Sequence, residues 1–338
     1  MTVRVGVIGV GMIGADHVRR IRTVLSGGAV VAVSDVDPDR AALVAAGATV
    51  HADGAGLIAD PAVDAVLVAS WGPTHAGYVL AGLAAGKPVF CEKPLATTQD
   101  DCLAVLAAEV AAGRRLVQVG FMRRYDAAYR AVKAVLDAGT IGPPTLFHSV
   151  HRNASVPPHY TADMAITDTA VHDVDVSRWL LGDEIAAVTV LRGRRSGRAP
   201  GTLHDPLLLV LETAGGVLVD VEVAVTVGYG YDIRGEVVGE TGTVELAPPA
   251  DVVVRSAGAR VAAVAPDWQQ RFRAAYDVEL QAWLDAVAAG TCVGPSTWDG
   301  YAATAVADAG MQSLRSAARV PVTLVPRPEL YGGREWTG

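Results

Sequence analysis

Residues 3–14 read VRVGVIGVGMIG, and this stretch decides the fold of the chain. It begins with a short run of mainly β-branched residues, Val3–Ile8, which predicts a strand. The glycines Gly9, Gly11 and Gly14 follow, and a helical pattern begins with them. The spacing G-x-G-x-x-G between a strand and a helix is typical of a dinucleotide-binding βαβ unit.

Each glycine has a separate task in such a unit. Gly9 permits the tight turn, Gly11 lets the backbone approach a pyrophosphate, and Gly14 lets helix and strand pack closely. The backbone N–H groups of the first helical turn, which includes Met12 and Ile13, would hold the phosphates.

A second predicted strand, Val30–Ser34, ends at Asp35, which lies 21 residues after Gly14. An acidic residue about 20 residues after the motif bonds the adenosine ribose hydroxyls in NAD-binding folds. Asp35 would repel the 2′-phosphate of NADP, Val36 offers that phosphate no cation, and Arg40 lies several residues further on. The sequence therefore favours NAD over NADP, and a purely structural role for Asp35 is the second interpretation.

Strands and helices continue to alternate after this point. Further buried strands are predicted at Asp64–Ala69, Lys87–Cys91 and Leu116–Gly120, and this order is typical of a Rossmann fold, an α/β fold with a doubly wound parallel sheet. We assign residues 1–122 to this NAD-binding domain. Ligands of such sheets bind beyond the carboxyl ends of the strands. The residues at those ends are Asp35, Ser70, Trp71, Glu92, Lys93, Phe121, Met122 and Arg123.

Lys93 is distinctive among these residues because the chain rarely uses lysine. Lysine and arginine together number 28, and only three of them are lysines, at positions 87, 93 and 133. Arginine stays charged, whereas a lysine ammonium is tuned by its surroundings. A lysine at the rim of the predicted cofactor crevice therefore indicates proton-transfer chemistry.

Residues 123–338 show a different pattern and are assigned to a substrate-binding and oligomerisation domain. Residues 217–227 place valine at every second position, which predicts a strand with one apolar face. Strands without intervening helices predict an α+β domain with a large, open, mainly antiparallel sheet. The uncovered face of such a sheet predicts a subunit interface. The other elements predicted here are helices at 127–138, 270–289 and 297–317 and strands at 146–151, 232–240 and 243–246.

The candidate chemistry of this domain lies in residues 167–175, TDTAVHDVD. On a helix, Asp168, His172 and Asp175 would share one face. Imidazole changes its charge near neutral pH and suits the role of base while hydride leaves an alcohol carbon. Asp168 would orient the ring, and Lys93 would bond the reacting oxygen. The same side chains could instead ligate a divalent ion or cap and pair locally. We predict no metal site, because no second histidine stands at ligand spacing and hydride transfer needs no metal.

Composition excludes several classes of protein. The formal net charge of −8 argues against a nucleic-acid surface. No apolar run is long enough to span a bilayer, and the glycine-broken N-terminus is interpreted as a strand and not as a signal peptide. The three cysteines are widely spaced and match no metal or redox motif. We therefore predict a cytoplasmic protein with reduced thiols.

Taken together, these motifs resemble the family of glucose–fructose oxidoreductase, inositol dehydrogenase and rhizopine-catabolism proteins. The glycine motif, Glu92-Lys93-Pro94 and Asp168-x-x-x-His172 carry the family resemblance, which covers almost the whole chain. Longer strings resemble the bacterial inositol 2-dehydrogenases within it: residues 70–73 (SWGP), 90–98 (FCEKPLATT), 117–126 (VQVGFMRRYD) and 229–233 (YGYDI).

The resemblance implies a set of site residues. Lys93 and His172 would act in proton transfer, with Asp168 in support. Substrate or nicotinamide contacts would come from Lys93, Met122, Arg123, Asn153, Asp168, Thr169, His172 and Tyr231. Packing, surface-charge and turn roles are the alternatives for Met122, Arg123, Asn153, Thr169 and Tyr231. The complete predicted cofactor site comprises Gly9, Gly11, Met12, Ile13, Gly14, Asp35, Val36, Ser70, Trp71, His75, Glu92, Lys93 and Arg123.

The resemblance also implies an activity, which is NAD-dependent oxidation of one secondary hydroxyl of myo-inositol, or of a close cyclitol, to an inosose. The partner would be this polyol, and the assembly a homotetramer formed through the open sheet. Two alternatives stay open. One is a dehydrogenase of scyllo-inositol, an inosamine-pathway cyclitol or an aldose. The other is a non-catalytic NAD(H)-sensing protein, against which the intact Lys93, Asp168 and His172 count.

Overall fold

The strands predicted around the glycine motif form one parallel sheet in the computed structural model, which describes residues 2–247 and 253–332. The strand order is β3-β2-β1-β4-β5-β6, as in a doubly wound fold. The elements in chain order are β1 (Val3–Ile8), α1 (Met12–Thr23), β2 (Gly28–Ser34), α2 (Pro38–Ala45), β3 (Thr49–Val50), α3 (Gly54–Ala59), β4 (Ala65–Val68), α4 (His75–Ala84), β5 (Val89–Glu92), α5 (Gln99–Ala111) and β6 (Val117–Gly120).

The rest of the chain contributes α6 (Ala127–Asp137), β7 (Pro144–Arg152), α7 (Ala162–Met164), a π-helical turn (Ala165–Ala170), α8 (Val171–Leu181), β8 (Ile185–Arg192), β9 (Leu207–Thr213), β10 (Leu218–Ala224), β11 (Asp232–Gly239), β12 (Thr243–Glu245), β13 (Val253–Ser256), β14 (Ala259–Ala262), α9 (Trp268–Arg271), α10 (Arg273–Ala288), α11 (Thr297–Ser316) and β15 (Val320–Pro321). Short 3₁₀ turns occur at Gly72–Thr74, Met122–Tyr125 and Glu329–Tyr331.

The chain divides into two compact units. Within the described residues, the first contains residues 2–121, Tyr276–Thr304 and residues 324–332, and the second contains Met122–Ala275 and Ala305–Thr323. The predicted ranges 1–122 and 123–338 place a single boundary in the chain, whereas two C-terminal segments return to the first unit. The reason is visible in its core, where Leu280, Trp283 and Leu284 of α10 pack with the apolar residues of β1 and α1.

A buried carboxylate ties these returning segments to the parallel sheet. Glu109 of α5 has no exposed surface. It accepts hydrogen bonds from the backbone N–H groups of Leu116 (2.6 Å) and Val117 (2.7 Å) and from the hydroxyls of Thr297 (2.7 Å) and Tyr331 (2.8 Å). Because every partner donates to it, the carboxylate is well compensated for its burial.

The second unit is built on a seven-stranded sheet of order β12-β11-β7-β10-β9-β8-β15. Only β7 and β10 pair in parallel, so the sheet is mixed and mainly antiparallel, as predicted. Alternate residues of its central strands are buried, among them Val219, Val221 and Val223, while Asp220 and Glu222 lie on the opposite, partly exposed face.

Some elements differ from the sequence-based prediction. Strands β8 and β9 were not predicted, and the helix expected at 270–289 is broken at Phe272 into α9 and α10. Phe272 is fully buried and leaves the helical conformation at φ −111°. Among the described residues, no helix is both long and apolar enough to cross a membrane.

Candidate active site

The glycine motif has the geometry that a dinucleotide requires. Gly9 adopts φ +84°, and a Cβ atom there would lie 2.4 Å from the Cα of Ser70. A Cβ atom on Gly14 would lie 1.9 Å from the carbonyl oxygen of Gly9, so any side chain would separate helix from turn. At Gly11, by contrast, nothing lies within 4 Å of such an atom. The backbone that starts α1 is therefore open to a ligand at the one position where close approach is expected.

A cavity of about 520 Å³ lies against this turn, within the first unit. Predicted cofactor residues contribute to its wall at several strand ends. The lining residues include Gly9, Gly11, Asp35, Val36, Ser70 and Trp71, together with Arg40, Asp53, Thr74 and Tyr78. An elongated dinucleotide fits this donor set, because open backbone lies at one side of the cavity and a carboxylate at another.

Asp35 is held in place by the backbone. Its Oδ2 atom accepts from the N–H of Val10 at 2.7 Å, and its Oδ1 atom accepts from the N–H of Asp37 at 2.9 Å. The guanidinium of Arg40 lies 3.4 Å from Asp35 and 3.3 Å from Asp37. The sequence argument treated Arg40 as distant, but helix α2 brings it back to the cavity.

The loops after β4 and β5 are joined by a buried imidazole. His75 is 2% exposed, and its ring nitrogens lie 2.7 Å from the carbonyl oxygen of Pro94 and 2.9 Å from that of Ser70. Its ring therefore holds two predicted cofactor loops together. Trp71, in contrast, is 76% exposed at the cavity wall and is available to a ligand.

Lys93 directly follows the carboxyl end of β5, which is the position predicted for a lysine at the rim of the cofactor crevice. Its backbone N–H donates to Oε2 of Glu92 at 3.2 Å. Glu92 is 6% exposed, and its Oε1 atom lies 2.7 Å from Nε2 of His17 on α1. The carboxylate of Glu92 is thus directed into the protein and not toward the cavity.

In the second unit, the predicted Asp168–His172 pair spans a change of helix type. Asp168 and Thr169 lie in the π-helical turn, and His172 lies in the first turn of α8. Single π-helical turns inside helices are frequent at functional sites. The hydroxyl of Tyr160 lies 3.2 Å from Oδ2 of Asp168 and 2.7 Å from Oγ1 of Thr169.

Asp175, the third residue of the predicted face, is paired with a different partner. It is buried in an ion pair with Arg124, with distances of 2.6 and 3.0 Å. The π-helical turn changes the residue spacing from 3.6 per turn, so the i, i+4, i+7 rule does not apply across it.

Arg123 is likewise engaged inside the second unit. It is 1% exposed, and its Nη1 lies 2.5 Å from Oδ1 of Asp173. Burial alone would raise the pKa of Asp173, but the charge of Arg123 and the hydrogen bonds from its neighbours hold that pKa well below its usual value. A cofactor or substrate contact through Nη1 of Arg123 would therefore compete with this pair.

His151 and Tyr231 extend this buried network. Nδ1 of His151 lies 2.7 Å from Oδ2 of Asp173, and Nε2 lies 3.1 Å from the hydroxyl of Tyr231. The His151 and His172 rings are 6.5 Å apart between centroids. Burial raises the pKa of Tyr231 to about 12, so this phenol keeps its proton at neutral pH.

Asn153 offers an acceptor with no partner of its own. Its backbone pairs with Ala224 and Val227, but its side-chain Oδ1 atom is shielded from water and has no hydrogen-bond partner among residues 2–247 and 253–332. An unpaired buried oxygen costs about 1–3 kcal/mol. A hydroxyl-bearing ligand would satisfy it. The side chain of Met122 is only 1% exposed and belongs to the hydrophobic core.

Sequence reasoning missed His17, His151, Tyr160 and Asp173. A signal existed for one of them: His151 has the same alternation in β7 as buried Phe147, so it faces inward. His17, Tyr160 and Asp173 carried no comparable signal.

Comparison with known proteins agrees with this geometry. The family model described as oxidoreductase family, NAD-binding Rossmann fold, matches residues 3–121. The model described as oxidoreductase family, C-terminal alpha/beta domain, matches residues 133–324. Residues 3–121 therefore form an NAD-binding Rossmann domain.

Similar proteins cover nearly the whole chain. Inositol 2-dehydrogenase 3 of Saccharopolyspora erythraea is 57% identical over 335 residues, which are 98% of this chain and 99% of the relative. Inositol 2-dehydrogenase of Pseudomonas fluorescens is 54% identical over 98% of this chain and 100% of its own. The crystal structure of myo-inositol dehydrogenase from Lactobacillus casei in complex with NAD(H) and myo-inositol superposes with a TM-score of 0.96 at 40% identity, over 98% of this chain and 100% of that one. The chain belongs to the glucose–fructose oxidoreductase, inositol dehydrogenase and rhizopine-catabolism family of NAD-dependent oxidoreductases.

Proposed function

We propose that this protein oxidises one secondary hydroxyl of myo-inositol, or of a close cyclitol, to an inosose with NAD. The observation that carries the proposal is the near-full-length similarity to inositol 2-dehydrogenases. The open glycine turn, the cavity beside it and the carboxylate of Asp35 support the same cofactor.

Three side chains share the proton chemistry in this proposal. His172 accepts the hydroxyl proton, and Asp168 supports the ring as it becomes charged. Lys93 donates a hydrogen bond to the reacting oxygen and so favours its anionic form. NAD, when bound, would supply the acceptor for the hydride that leaves the carbinol carbon. The products are then a ketone, NADH and one proton.

Selectivity for an uncharged polyol has to come from directional hydrogen bonds. A polar group left without a partner penalises the wrong substrate. The unpaired Oδ1 of Asn153 supports a place for one ring hydroxyl there. Thr169 and Tyr231 add hydroxyls in the same unit, and Tyr231 remains protonated at neutral pH.

We also propose a homotetramer that assembles through the partly exposed face of the seven-stranded sheet. That face carries apolar residues among charged pairs: Leu218 is 45% exposed, and next to it His148 lies 2.5 Å from Asp220. The protein would work in the cytoplasm, where NAD is available and the buried thiols of Cys91 and Cys102 stay reduced.

A panel of inositol stereoisomers and aldoses with NAD, with products identified by NMR, tests the activity. We expect turnover of myo-inositol with formation of an inosose, and a strongly reduced kcat when Lys93 is replaced by alanine. Turnover restricted to scyllo-inositol or an aldose would transfer the assignment to that substrate. NADH binding without turnover of any polyol would refute the dehydrogenase and support a sensor.

A further inference from the structure

His17 is a fully buried titratable group of the first unit that no step of the proposed chemistry uses. It lies in the second turn of α1 and has no exposed surface. Its ring meets Phe90 of β5 edge-on at 6.0 Å between centroids, and the ring of Tyr276 lies 5.7 Å away. A group so enclosed does not touch substrate, so any part it plays is indirect.

The imidazole of His17 makes a hydrogen bond with the carboxylate of Glu92. Nε2 of His17 and Oε1 of Glu92 are 2.7 Å apart, and in the tautomer with a proton on Nε2 the ring donates to the carboxylate. The other ring nitrogen, Nδ1, is buried with no hydrogen-bond partner in the described part of the chain. A buried ring nitrogen without a hydrogen-bond partner destabilises the folded protein. An apolar side chain of similar size would fill the same space without this cost.

Glu92 connects the ring of His17 to the backbone of Lys93. Its second carboxylate oxygen accepts the backbone N–H of Lys93 at 3.2 Å. Space for the carboxylate exists because β6 ends in Gly120, where a Cβ atom would lie only 3.1 Å from Cδ and Oε2 of Glu92. The position of the Lys93 backbone is thus fixed through two hydrogen bonds that begin on helix α1.

We propose that His17 is a positioning residue for Lys93 and acts through Glu92. The same helix starts at Gly11, in the open turn of the dinucleotide motif. The pair would therefore connect the helix that holds the pyrophosphate with the loop that carries the lysine. This inference rests on the proposed function, in which Lys93 bonds the reacting oxygen.

Two substitutions of His17 separate positioning from packing. His17→Leu keeps most of the volume and removes the N–H donor, whereas His17→Gln places an amide N–H near the former Nε2. Glu92→Gln provides a second test if the leucine variant fails to fold. The control is Glu109→Gln, which alters another fully buried carboxylate of the same unit, whose hydrogen bonds go to Leu116, Val117, Thr297 and Tyr331.

The scarcity of lysine gives a direct readout that does not depend on activity. After reductive methylation with ¹³C-formaldehyde, NMR would show lysine signals only from Lys87, Lys93 and Lys133, and the Lys93→Arg variant assigns the relevant one. We expect His17→Leu and Glu92→Gln to shift the Lys93 signal and leave the other two in place. His17→Gln should return it toward the wild-type position.

Kinetics provide the second readout. We expect His17→Leu to lower kcat on the order of 10- to 100-fold, because small misplacements of a reacting group have effects of that size, with the Kd for NADH unchanged. His17→Gln should recover most of kcat, and Glu109→Gln should affect only the Tm. If His17→Leu loses Tm like the control but keeps kcat and the Lys93 signal, the proposal is wrong. If the wild type oxidises no polyol, the proposed function fails, and the NMR shift still decides whether His17 positions Lys93.

Discussion

The guanidinium of Arg40 lies 3.4 Å from the carboxylate of Asp35, at the wall of the cofactor cavity. We expect Asp35 to exclude a 2′-phosphate by its charge, while the cation that such a phosphate would need is already beside it. In this proposal the preference for NAD over NADP depends on one carboxylate, which also neutralises the charge of Arg40.

Replacement of Asp35 by serine should shift the cofactor preference toward NADP. The substitution removes the repulsion and frees Arg40 from one of its two partners. We expect the ratio of kcat/KM for NADP to that for NAD to rise by about tenfold or more, the effect of one charged contact.

The double variant Asp35→Ser, Arg40→Ala provides the control. The double variant should lose most of the increase in kcat/KM for NADP and keep the decrease in kcat/KM for NAD. An unchanged ratio in Asp35→Ser would refute the assignment of Asp35 as the residue that selects the cofactor.

Lys93→Ala should lower kcat by about 10²- to 10⁴-fold, the usual contribution of a group that assists proton transfer. NADH binding, measured by fluorescence titration, should stay close to that of the wild type. Lys133→Ala is the matched control, because Lys133 forms an i, i+4 ion pair with Asp137 on helix α6. Activity of Lys93→Ala near the wild-type level would contradict the role of this lysine.

Asn153→Leu should raise the KM for myo-inositol by about tenfold, since one neutral hydrogen bond to a ligand is lost. The free protein should be no less stable, because the substitution removes a buried oxygen that lacks a partner. Steady-state kinetics and a thermal melt check both statements. An unchanged KM would exclude Asn153 from the substrate site.

Asp173→Asn should destabilise the protein by about 3–5 kcal/mol at neutral pH, because it leaves the buried Arg123 without its counter-charge. The pKa of Asp173 is lowered in the folded state, so its contribution is present above the unfolded pKa of about 4 and is lost as the pH falls below it. Urea unfolding of both proteins should therefore give a constant difference from pH 8 to about pH 5 and a smaller one in stronger acid. A difference that grows on acidification would contradict the lowered pKa.

Leu218→Arg should dissociate the proposed tetramer, because it introduces a charge on the exposed face of the seven-stranded sheet. Light scattering coupled to size-exclusion chromatography measures the mass directly. The charge-preserving substitution Asp220→Glu, on the same face, should leave the mass unchanged. A wild-type protein that is monomeric at micromolar concentration would refute the proposed tetramer.

The sequence predicted those secondary-structure elements that have a recognisable pattern within a short segment. The glycine motif, the buried parallel strands and the alternating strand β10 were confirmed, since periodicity and glycine spacing act within short segments. The leucine-rich strand β9 was missed, because its near-continuous apolar run has no alternation to mark it. The return of α10 to the first unit depends on Leu280, Trp283 and Leu284, whose partners are distant in sequence.

The site shows the same division between local and long-range information. Asp168, Thr169 and His172 could be proposed from spacing, but the π-helical turn that contains the first two could not. The partners of Arg123 and Glu92, which are Asp173 and His17, lie 50 and 75 residues away in the chain. Such pairings are set by tertiary packing and leave no mark in the local sequence.

A crystal structure of the protein with NADH and myo-inositol tests the proposed chemistry most directly. We predict that Nζ of Lys93 and the imidazole of His172 both lie within about 3 Å of the same ring hydroxyl oxygen, whose carbon faces the nicotinamide. If the two side chains contact different oxygens, or if either points away from the carbon next to the nicotinamide, the proton-transfer roles proposed for them are wrong.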